Sequence, residues 1–235
     1  MTLPVVAPPF DTTFRPDASV AGVLLAAGAS SRFGPANKLL APLDSGGSGS
    51  DSESLDSGSD SVGSESEPSG SAPLVRHAAR GLLDAAELDA VAAVVAADDG
   101  PVTDALSGMD VSLLVNPDAE RGQATSVRRG VRWGREYDAI VFALGDMPRV
   151  SPASIDRLVA AYRAGAGDAL AAAFDGARGN PVLFDARHFD ALADVEGDMG
   201  GREILLHGDR SALVETDDPG VLVDVDTTDD LRELR

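Results

Sequence analysis

The chain has 235 residues with 19 basic and 39 acidic side chains, a formal net charge of −20, and 43% of its residues are apolar. This charge excludes a general nucleic-acid binder, which needs a basic face, and the absence of cysteine excludes disulfides, cysteine–zinc sites and cysteine nucleophiles. No apolar run reaches the roughly 18 residues of a membrane span. The start of the chain lacks the basic and apolar stretches of a secretion signal, so we expect a cytoplasmic protein.

The basic residues are almost all of one type. Eighteen of the 19 are arginine, and the single lysine is Lys38. High acidity with almost no lysine looks like adaptation to a salty cytoplasm, where screening makes a net charge of −20 tolerable. Acidity of this kind carries little information about function, but it makes Lys38 conspicuous.

Two stretches differ in composition from the rest of the chain. Residues 1–18 contain four prolines and little periodicity, which predicts a flexible N-terminal extension. Residues 44–72 hold 12 Ser, 6 Gly and 7 acidic residues in 29 positions. Such a segment cannot bury enough apolar surface to offset its chain entropy, so we expect a disordered surface insert, with a partner-binding segment as the alternative. Residues 19–235 are otherwise expected to form one domain.

Strand and helix patterns alternate along that domain. The predicted strands are 20–28, 88–97, 111–115, 138–146, 169–174, 180–185 and a last one that begins at residue 221. The predicted helices are 73–86, a short one after Pro101, 123–134, 151–165, 187–193, 200–207 and one that ends near residue 234. This alternation predicts an α/β fold, a three-layer α/β/α sandwich with a mostly parallel, Rossmann-like sheet. Ligands of such sheets bind beyond the carboxyl ends of the strands.

The first chemical motif is the loop of small residues that follows the strand ending at Gly28. It carries two cations, Arg32 and Lys38. Small residues let main-chain N–H groups approach an anion closely, and the arginine fork and the compact lysine charge could together neutralise a triphosphate. The loop is neither a Walker A loop nor a dinucleotide GxGxxG motif. An ordinary strand-to-helix turn with surface cations is the alternative.

The stretch from Leu25 to Lys38 matches every fixed position of the pattern L-A-[AG]-G-x-S-x-R-[MF]-G-x-x-[ND]-K. It therefore resembles the signature of the nucleotidyltransferases related to the molybdenum cofactor guanylyl- and cytidylyltransferases. Further segments resemble this family in its own order: 116–130, 143–148, 176–184, 195–206 and 223–231. The chain departs from the family's pattern in the insert after Lys38 and at Asn180, where cytidylyltransferase-like relatives often have histidine.

The resemblance implies a nucleotide-diphospho-sugar transferase-like fold and a role for each matching residue. Arg32 and Lys38 would be catalytic cations that hold the β- and γ-phosphates, and Asp146 would be a catalytic metal ligand. The implied cofactor is Mg2+, with Asp146 and Asp198 as its ligands. The implied nucleotide-binding residues are Leu25, Ala26, Ala27, Gly28, Arg32, Lys38, Asn116, Gly122 and Ser126.

Each of these side chains also has a plain structural interpretation. Asp146 ends an apolar strand, so its carboxylate should emerge at the carboxyl edge of the sheet, where it could equally cap a turn. Asp198 could be the N-cap of the helix at 200–207. Asn116 and Ser126 can hydrogen-bond a base or ribose, or can be ordinary turn and helix residues.

The function implied by the resemblance is transfer of a nucleoside monophosphate from a nucleoside triphosphate to a phosphorylated acceptor, with release of pyrophosphate. In this family the LAAG form goes with cytidylyl transfer and LAGG with guanylyl transfer, so Ala27 favours CTP, with molybdopterin as the acceptor. GTP with molybdopterin, or a sugar phosphate, is an alternative. A non-catalytic nucleotide-binding module or chaperone that serves a molybdoenzyme is another. Neither a nucleic acid nor a membrane is expected as a partner.

Overall fold

In a computed structural model of the chain, the residues described are 3–28, 37–44, 71–197 and 201–234. The strands in them are β1 (Val5–Val6), β2 (Val20–Leu25), β3 (Pro42–Asp44), β4 (Ser71–Pro73), β5 (Ala90–Val95), β6 (Ser112–Val115), β7 (Ala139–Leu144), β8 (Ala169–Phe174), β9 (Ala177–Asp185) and β10 (Ser211–Glu215). The α-helices are α1 (Leu74–Leu83), α2 (Pro101–Ala105), α3 (Gln123–Trp133), α4 (Pro152–Arg163), α5 (Phe189–Asp194), α6 (Arg202–His207) and α7 (Thr228–Glu233). None of the described helices is long and apolar enough to cross a membrane.

Eight of these strands form one sheet in the order β1-β10-β8-β9-β7-β2-β5-β6. All neighbouring strands are parallel except β9, which runs antiparallel to both β7 and β8. The continuous apolar runs of β2, β7 and β8 are buried along almost their whole length, as expected for strands with helices on both faces. The predicted three-layer sandwich with a mostly parallel sheet is therefore confirmed.

Side chains alternate between two apolar layers on the two faces of the sheet. In β7, Val141 belongs to the layer that contains Leu82 of α1 and Leu158 of α4. Its neighbour Phe142 belongs to the opposite layer, which contains Leu205 of α6 and several residues of α3 and α5. This period-two alternation is what a pleated strand imposes, and it assigns α1 and α4 to one face and α3, α5 and α6 to the other.

The prediction of a last strand beginning at residue 221 is wrong. Pro219–Leu222 form a 3-10 turn, and the strand in this part of the sheet is β10, which sequence reasoning missed. β10 lies between β8 and β1, so no edge of β8 is left for the segment after residue 221. The apolar–acidic alternation of that segment has another cause, because Val221 and Val225 are fully buried against the domain.

The N-terminal segment also differs from its predicted form. Val5–Val6 pair in parallel with β10. Arg15 donates a hydrogen bond of 2.5 Å to Asp185 Oδ2, and its guanidinium lies 4.7 Å from the centre of the Tyr162 ring. The segment therefore packs on the domain instead of extending from it. A two-residue strand and a single arginine leave no periodic pattern from which this could be predicted.

The ends of the predicted insert belong to the domain as well. β3 and β4 pair antiparallel, with Asp44 opposite Ser71. Leu43 of β3 is buried in a small cluster with Val225 and Leu231, which connects this hairpin to the C-terminal segment. The predicted boundaries of 44–72 are thus corrected at both ends, and residues 45–70 lie outside the described part of the chain.

The ion pair of Arg15 leads to a prediction about stability and pH. Burial raises the pKa of Asp185, but hydrogen bonds from the Arg187 backbone, Arg15 and Tyr162 outweigh it and hold that pKa below its usual value. A carboxylate with a lowered folded pKa stabilises the fold above its unfolded pKa of about 4, and that contribution is lost as the pH falls through the folded value. We expect Arg15→Gln to lower the free energy of unfolding by about 1–3 kcal/mol at pH 7, and the difference from wild type to shrink below about pH 4.

Urea denaturation at several pH values measures this difference. Arg135→Gln is the matched control, because its ion pair with Asp190 is exposed, and it should change stability by no more than about 0.5 kcal/mol. A difference for Arg15→Gln that stays constant from pH 7 down to acid would mean that packing of the arginine on Tyr162, and not its charge, provides the stability.

Candidate active site

The candidate site lies where β2 and β7 end side by side. The two strands are parallel neighbours with Leu25 opposite Leu144, so their carboxyl ends meet at the same edge of the sheet. The Gly145 N–H donates to the Leu25 carbonyl and extends the pairing by one residue. A Cβ at Gly145 would lie 3.2 Å from that carbonyl oxygen, closer than most side chains tolerate. Asp146 therefore leaves the sheet beside the end of β2, as the sequence predicts.

Lys38 lies between two carboxylates at this edge. Its Nζ is 2.7 Å from Asp146 Oδ2 and 2.7 Å from Asp226 Oδ1. The Lys38 and Asp146 side chains are mostly buried, with 16% and 19% of their surface exposed, whereas that of Asp226 is 42% exposed. Asn37 positions the lysine, because its side chain accepts from the Leu39 N–H and caps the 3-10 turn Lys38–Leu40. The single lysine of the chain therefore neutralises two acids at one point.

The charges of the described side chains in this cluster influence one another. Burial lowers the pKa of Lys38, but hydrogen bonds to Asp146 and Asp226 outweigh it and hold that pKa above its usual value, so the amine stays protonated. Burial and the negative charge of Asp226 raise the pKa of Asp224, and the charge of Asp146 adds to this effect. Among the described side chains, the three carboxylates of Asp146, Asp224 and Asp226 thus lie near the one ammonium group of Lys38.

Sequence reasoning missed Asp226. The Val225 N–H donates to the Asp146 carbonyl at 3.0 Å, which ties the C-terminal segment to the end of β7. Asp230 then accepts from the main-chain N–H groups of Asp226 and Thr227 and completes a capping box at the start of α7. The alternation of Val and Asp at 223–226 before a capping threonine is the signal that could have singled out this residue.

The side chains at this edge fit a divalent cation. Asp146 Oδ2 accepts from Lys38, while its buried Oδ1 has no hydrogen-bond partner. Carboxylate oxygens are the ligands that Mg2+ prefers, and Mg2+ takes one or two of them and fills its other positions with water and substrate phosphates. Accordingly, no group of three acidic or histidine side chains in the described residues is arranged to hold a metal on its own. The predicted ligand Asp198 and the predicted cation Arg32 lie outside the described residues.

A cavity of about 460 Å³ opens beside this cluster. Six of the predicted nucleotide-binding residues line it: Leu25, Ala27, Gly28, Lys38, Gly122 and Ser126. Ala26 does not, since it is 2% exposed and its N–H donates to the Val94 carbonyl. The cavity therefore joins the end of β2, the cationic cluster and the start of α3.

Asn116 is buried next to the cavity and is hydrogen-bonded to Ser126, one of the lining residues. It is 1% exposed, and its amide donates hydrogen bonds of 2.9 Å to Thr125 Oγ1 and to Ser126 Oγ. Its side-chain oxygen accepts from the Asp118 N–H. These bonds fasten the loop after β6 to the first turn of α3. Among the described residues, Asn116 is therefore buried next to the wall of the cavity and does not line it, and its contact with the nucleotide stays a prediction.

Gly122 leads to a second prediction. It precedes α3 with φ 109° and ψ 165°, a backbone conformation that residues other than glycine rarely adopt. We expect Gly122→Ala to lower the free energy of unfolding by about 1–3 kcal/mol and to weaken nucleotide binding, because the main chain at the cavity wall must shift. Gly108→Ala is the control, since Gly108 also has a positive φ of 76° but lies in a turn away from the cavity. Equal loss of nucleotide affinity in both variants would contradict the assignment of the wall.

The fold and the site together define a class of protein. A mostly parallel sheet covered on both faces, with a cavity and an acidic–cationic cluster at its carboxyl edge, is the arrangement of a nucleotide-binding α/β enzyme. The chain belongs to the family of the MobA-like NTP transferase domain, which it matches over residues 22–212. It therefore has the family and the fold of nucleotidyltransferases, and the resemblance found in the sequence is confirmed.

Several relatives and solved structures are similar to this chain. The purine catabolism protein PucB of Bacillus subtilis is 36% identical over 129 residues, which cover 53% of this chain and 61% of PucB. The crystal structure of Rv0371c from Mycobacterium tuberculosis is 25% identical, with a TM-score of 0.70 over 92% of this chain and 97% of that one. A nucleotidyl transferase from Methanothermobacter is 26% identical, with a TM-score of 0.70 over 92% of this chain and 96% of that one. The match to PucB thus leaves more than a third of that relative uncovered.

Proposed function

We propose that the protein transfers a nucleoside monophosphate from CTP to the phosphate of molybdopterin, or of a similar phosphorylated acceptor, and releases pyrophosphate. The observation that carries this proposal is the position of Lys38 between Asp146 and Asp226, at the mouth of a cavity of about 460 Å³. A cation and acidic ligands at one sheet edge are what a triphosphate with its metal requires.

The reaction forms one bond and breaks one. A phosphate oxygen of the acceptor attacks the α-phosphorus of the triphosphate, and the bond from that phosphorus to the bridging oxygen of the β-phosphate breaks. The electron pair leaves with pyrophosphate. The nucleophile is already an anion, so no strong base is needed, and the barrier comes from repulsion between anions and from charge that builds on the leaving group. Positioning and charge neutralisation therefore dominate the catalysis.

Each residue of the cluster has a part in that neutralisation. Lys38 is held protonated by Asp146 and Asp226, and it would exchange one of these partners for a β- or γ-phosphate oxygen when the triphosphate binds. Arg32 would provide a second, forked donor to the same phosphates. The unpartnered Asp146 Oδ1 is the favoured metal-ligand atom, with Asp226 as a second ligand and Asp198 as a further candidate.

A divalent cation supplies charge neutralisation between the two anionic reactants when it is bound. Mg2+ is the proposed ion. A structure of the mycobacterial protein Rv0371c in complex with manganese, 22% identical to this chain with a TM-score of 0.65, supports testing Mn2+ beside it.

The choice of CTP depends on Ala27. Ala27 is one of the residues that line the cavity, at the position where the guanylyl-transferring form of the motif has glycine. A thermal-shift series with CTP, GTP, ATP and UTP, each with Mg2+ or Mn2+, tests this choice. A nucleotide at 100 times its dissociation constant should raise the free energy of unfolding by about 2.7 kcal/mol. We expect the largest shift with CTP, and a larger shift with GTP would favour guanylyl transfer.

Release of pyrophosphate separates an enzyme from a binding module. We expect release from CTP only when molybdopterin or another phosphorylated acceptor is present. Tight binding of a nucleotide without release, for every acceptor tried, would favour a non-catalytic chaperone for a molybdoenzyme.

A further inference from the structure

The sheet ends at β6, which pairs on one side with β5 and has no neighbour on its outer side among the described strands. The Asn116 N–H continues the pairing by donating to the carbonyl of the last residue of β5. The main-chain groups of successive residues in a strand point alternately to its two sides, so Leu114 also faces β5. Leu113 and Val115 therefore direct their N–H and carbonyl groups outward, where a sheet edge offers them to another strand.

The same two residues also expose their side chains. Leu113 is 42% and Val115 is 36% exposed, whereas most large apolar side chains of the described residues are buried. Leu114 between them packs into the apolar layer of α3 and α5. Since neighbouring side chains of a strand point to opposite faces, Leu113 and Val115 lie on the face of α1 and α4. Outward main-chain groups and uncovered apolar side chains thus coincide on one edge.

This edge lacks the usual protection against association. Natural proteins protect sheet edges with proline, with charged side chains or with very short strands. The opposite edge of the sheet is protected in this way, because β1 has two residues and prolines close to both of its ends, at Pro4, Pro8 and Pro9. Residues 111–117 contain no charged side chain, although 25% of the residues of the chain are charged, and their one proline, Pro117, comes last.

We propose that two copies of this chain associate through their β6 strands, which pair antiparallel about a two-fold axis at Leu114. Leu113 of each copy then lies opposite Val115 of the other. Residues that face each other in this way exchange both of their main-chain hydrogen bonds, so every outward group of Leu113 and Val115 gains a partner. The exposed leucine and valine side chains also cover one another across the strands, which adds to the stability of such a pair.

The main chain around β6 selects this register. A shift of the pairing by two residues in one direction would place Val115 opposite Val111, whose N–H already donates to the Met109 carbonyl. A shift in the other direction would place Leu113 opposite Pro117, which has no N–H. The register centred on Leu114 is therefore the one in which no outward group of Leu113 or Val115 is left without a partner.

Charge favours a second copy as the partner at high salt. Residues 112–116 bring no like charges together, but Asp110 and Asp118 lie just beyond the paired residues, and each copy carries a net charge of −20. These charges repel at low salt and are screened at high salt, because the screening length falls to about 3 Å at 1 M. A basic strand from another protein would show the opposite dependence on salt. An interface built on one short strand belongs to the small, reversible class, below about 1,200 Å² of buried surface.

Cross-linking tests the axis directly, because the chain contains no cysteine and a single introduced one reports contacts between copies. Leu114→Cys would place two thiols opposite each other, with their Cα atoms about 4.5 Å apart, a separation that a disulfide spans. Under mild oxidation at high salt, we expect this full-length variant to form a covalent dimer at least about tenfold faster than Val5→Cys. Val5 is the stricter control because it is more than half exposed on the opposite edge.

Sedimentation equilibrium over a series of protein concentrations measures the association without a cross-link. We expect the wild type to self-associate more strongly as salt rises, and Leu113→Lys/Val115→Lys to associate at least about tenfold more weakly, because each pair would then hold two like charges. Val5→Lys/Leu222→Lys adds the same charge at two other exposed apolar positions and should associate like the wild type.

Two results would overturn the inference. One is a wild type that stays monomeric at every concentration and salt, with equal rates of cross-linking for Leu114→Cys and Val5→Cys. The other is self-association that is unchanged in Leu113→Lys/Val115→Lys at an unchanged thermal midpoint, which would place the interface elsewhere on the molecule. These measurements use no nucleotide, so their outcome is independent of the proposed function.

Discussion

Replacement of Lys38 by alanine should reduce the turnover of nucleotide and acceptor about a hundredfold or more, which is the usual effect of removing one preorganised charge contact from a site of this kind. The amine is the only described cation bonded to both Asp146 and Asp226. Without it, both carboxylates lose this hydrogen bond, and the triphosphate loses the cation proposed to bind it. Steady-state release of pyrophosphate measures the change, and nucleotide affinity should fall with it.

The same variant should also be less stable before any ligand binds. Loss of the ammonium removes one described hydrogen-bonding partner from Asp146 and one from Asp226, beside a third acid whose pKa is already raised. We expect a loss of about 1–3 kcal/mol in the free energy of unfolding. Added Mg2+ or Mn2+ should restore part of this stability, because the cation replaces the lost charge. Arg80→Gln removes one positive charge from an exposed position and should change neither quantity. Turnover within twofold of the wild type for Lys38→Ala would remove this lysine from the mechanism.

The parts of the fold and site that the sequence predicts are those with a local signal. The apolar run that begins at residue 20 contains a buried parallel strand, because its residues bury both faces, and this strand ends at Leu25, three residues before the predicted end at Gly28. Asp146 directly follows the apolar strand β7, so the position of its carboxylate at the sheet edge is a consequence of chain order alone. Six predicted nucleotide-binding residues line one cavity because the end of β2, the turn at Lys38 and the start of α3 meet there.

The features that sequence reasoning missed depend on contacts between distant segments. Asp226 joins the site through a hydrogen bond from Val225 to the end of β7, about 80 residues earlier in the chain. Its sequence pattern resembles a strand, and only the occupation of that edge by β10 excludes one. No periodicity in a single segment encodes such a pairing.

Asp146→Asn should keep the shape of the site and abolish most of its activity. The asparagine oxygen can still accept from Lys38, and Lys38 keeps Asp226 as an ion-pair partner. One charge is removed from a cluster whose described side chains include more acids than bases, so the stability of the ligand-free protein should change by no more than about 1 kcal/mol. The buried Oδ1, which has no hydrogen-bond partner, would lose its negative charge, and metal-dependent turnover should fall by about two to three orders of magnitude.

The readouts for Asp146→Asn distinguish a metal ligand from a structural residue. Nucleotide binding measured in the presence of a chelator should be nearly unchanged, whereas the added affinity that Mg2+ or Mn2+ gives to the wild type should disappear. Asp229→Asn is the matched control, because it removes one exposed acid from the same C-terminal region and should preserve turnover. A loss of more than about 2 kcal/mol in ligand-free stability, with turnover retained, would instead make Asp146 a cap of its turn. In that case the cation would have to be bound by Asp226 and by acids outside the described residues, with Asp198 the first to be tested.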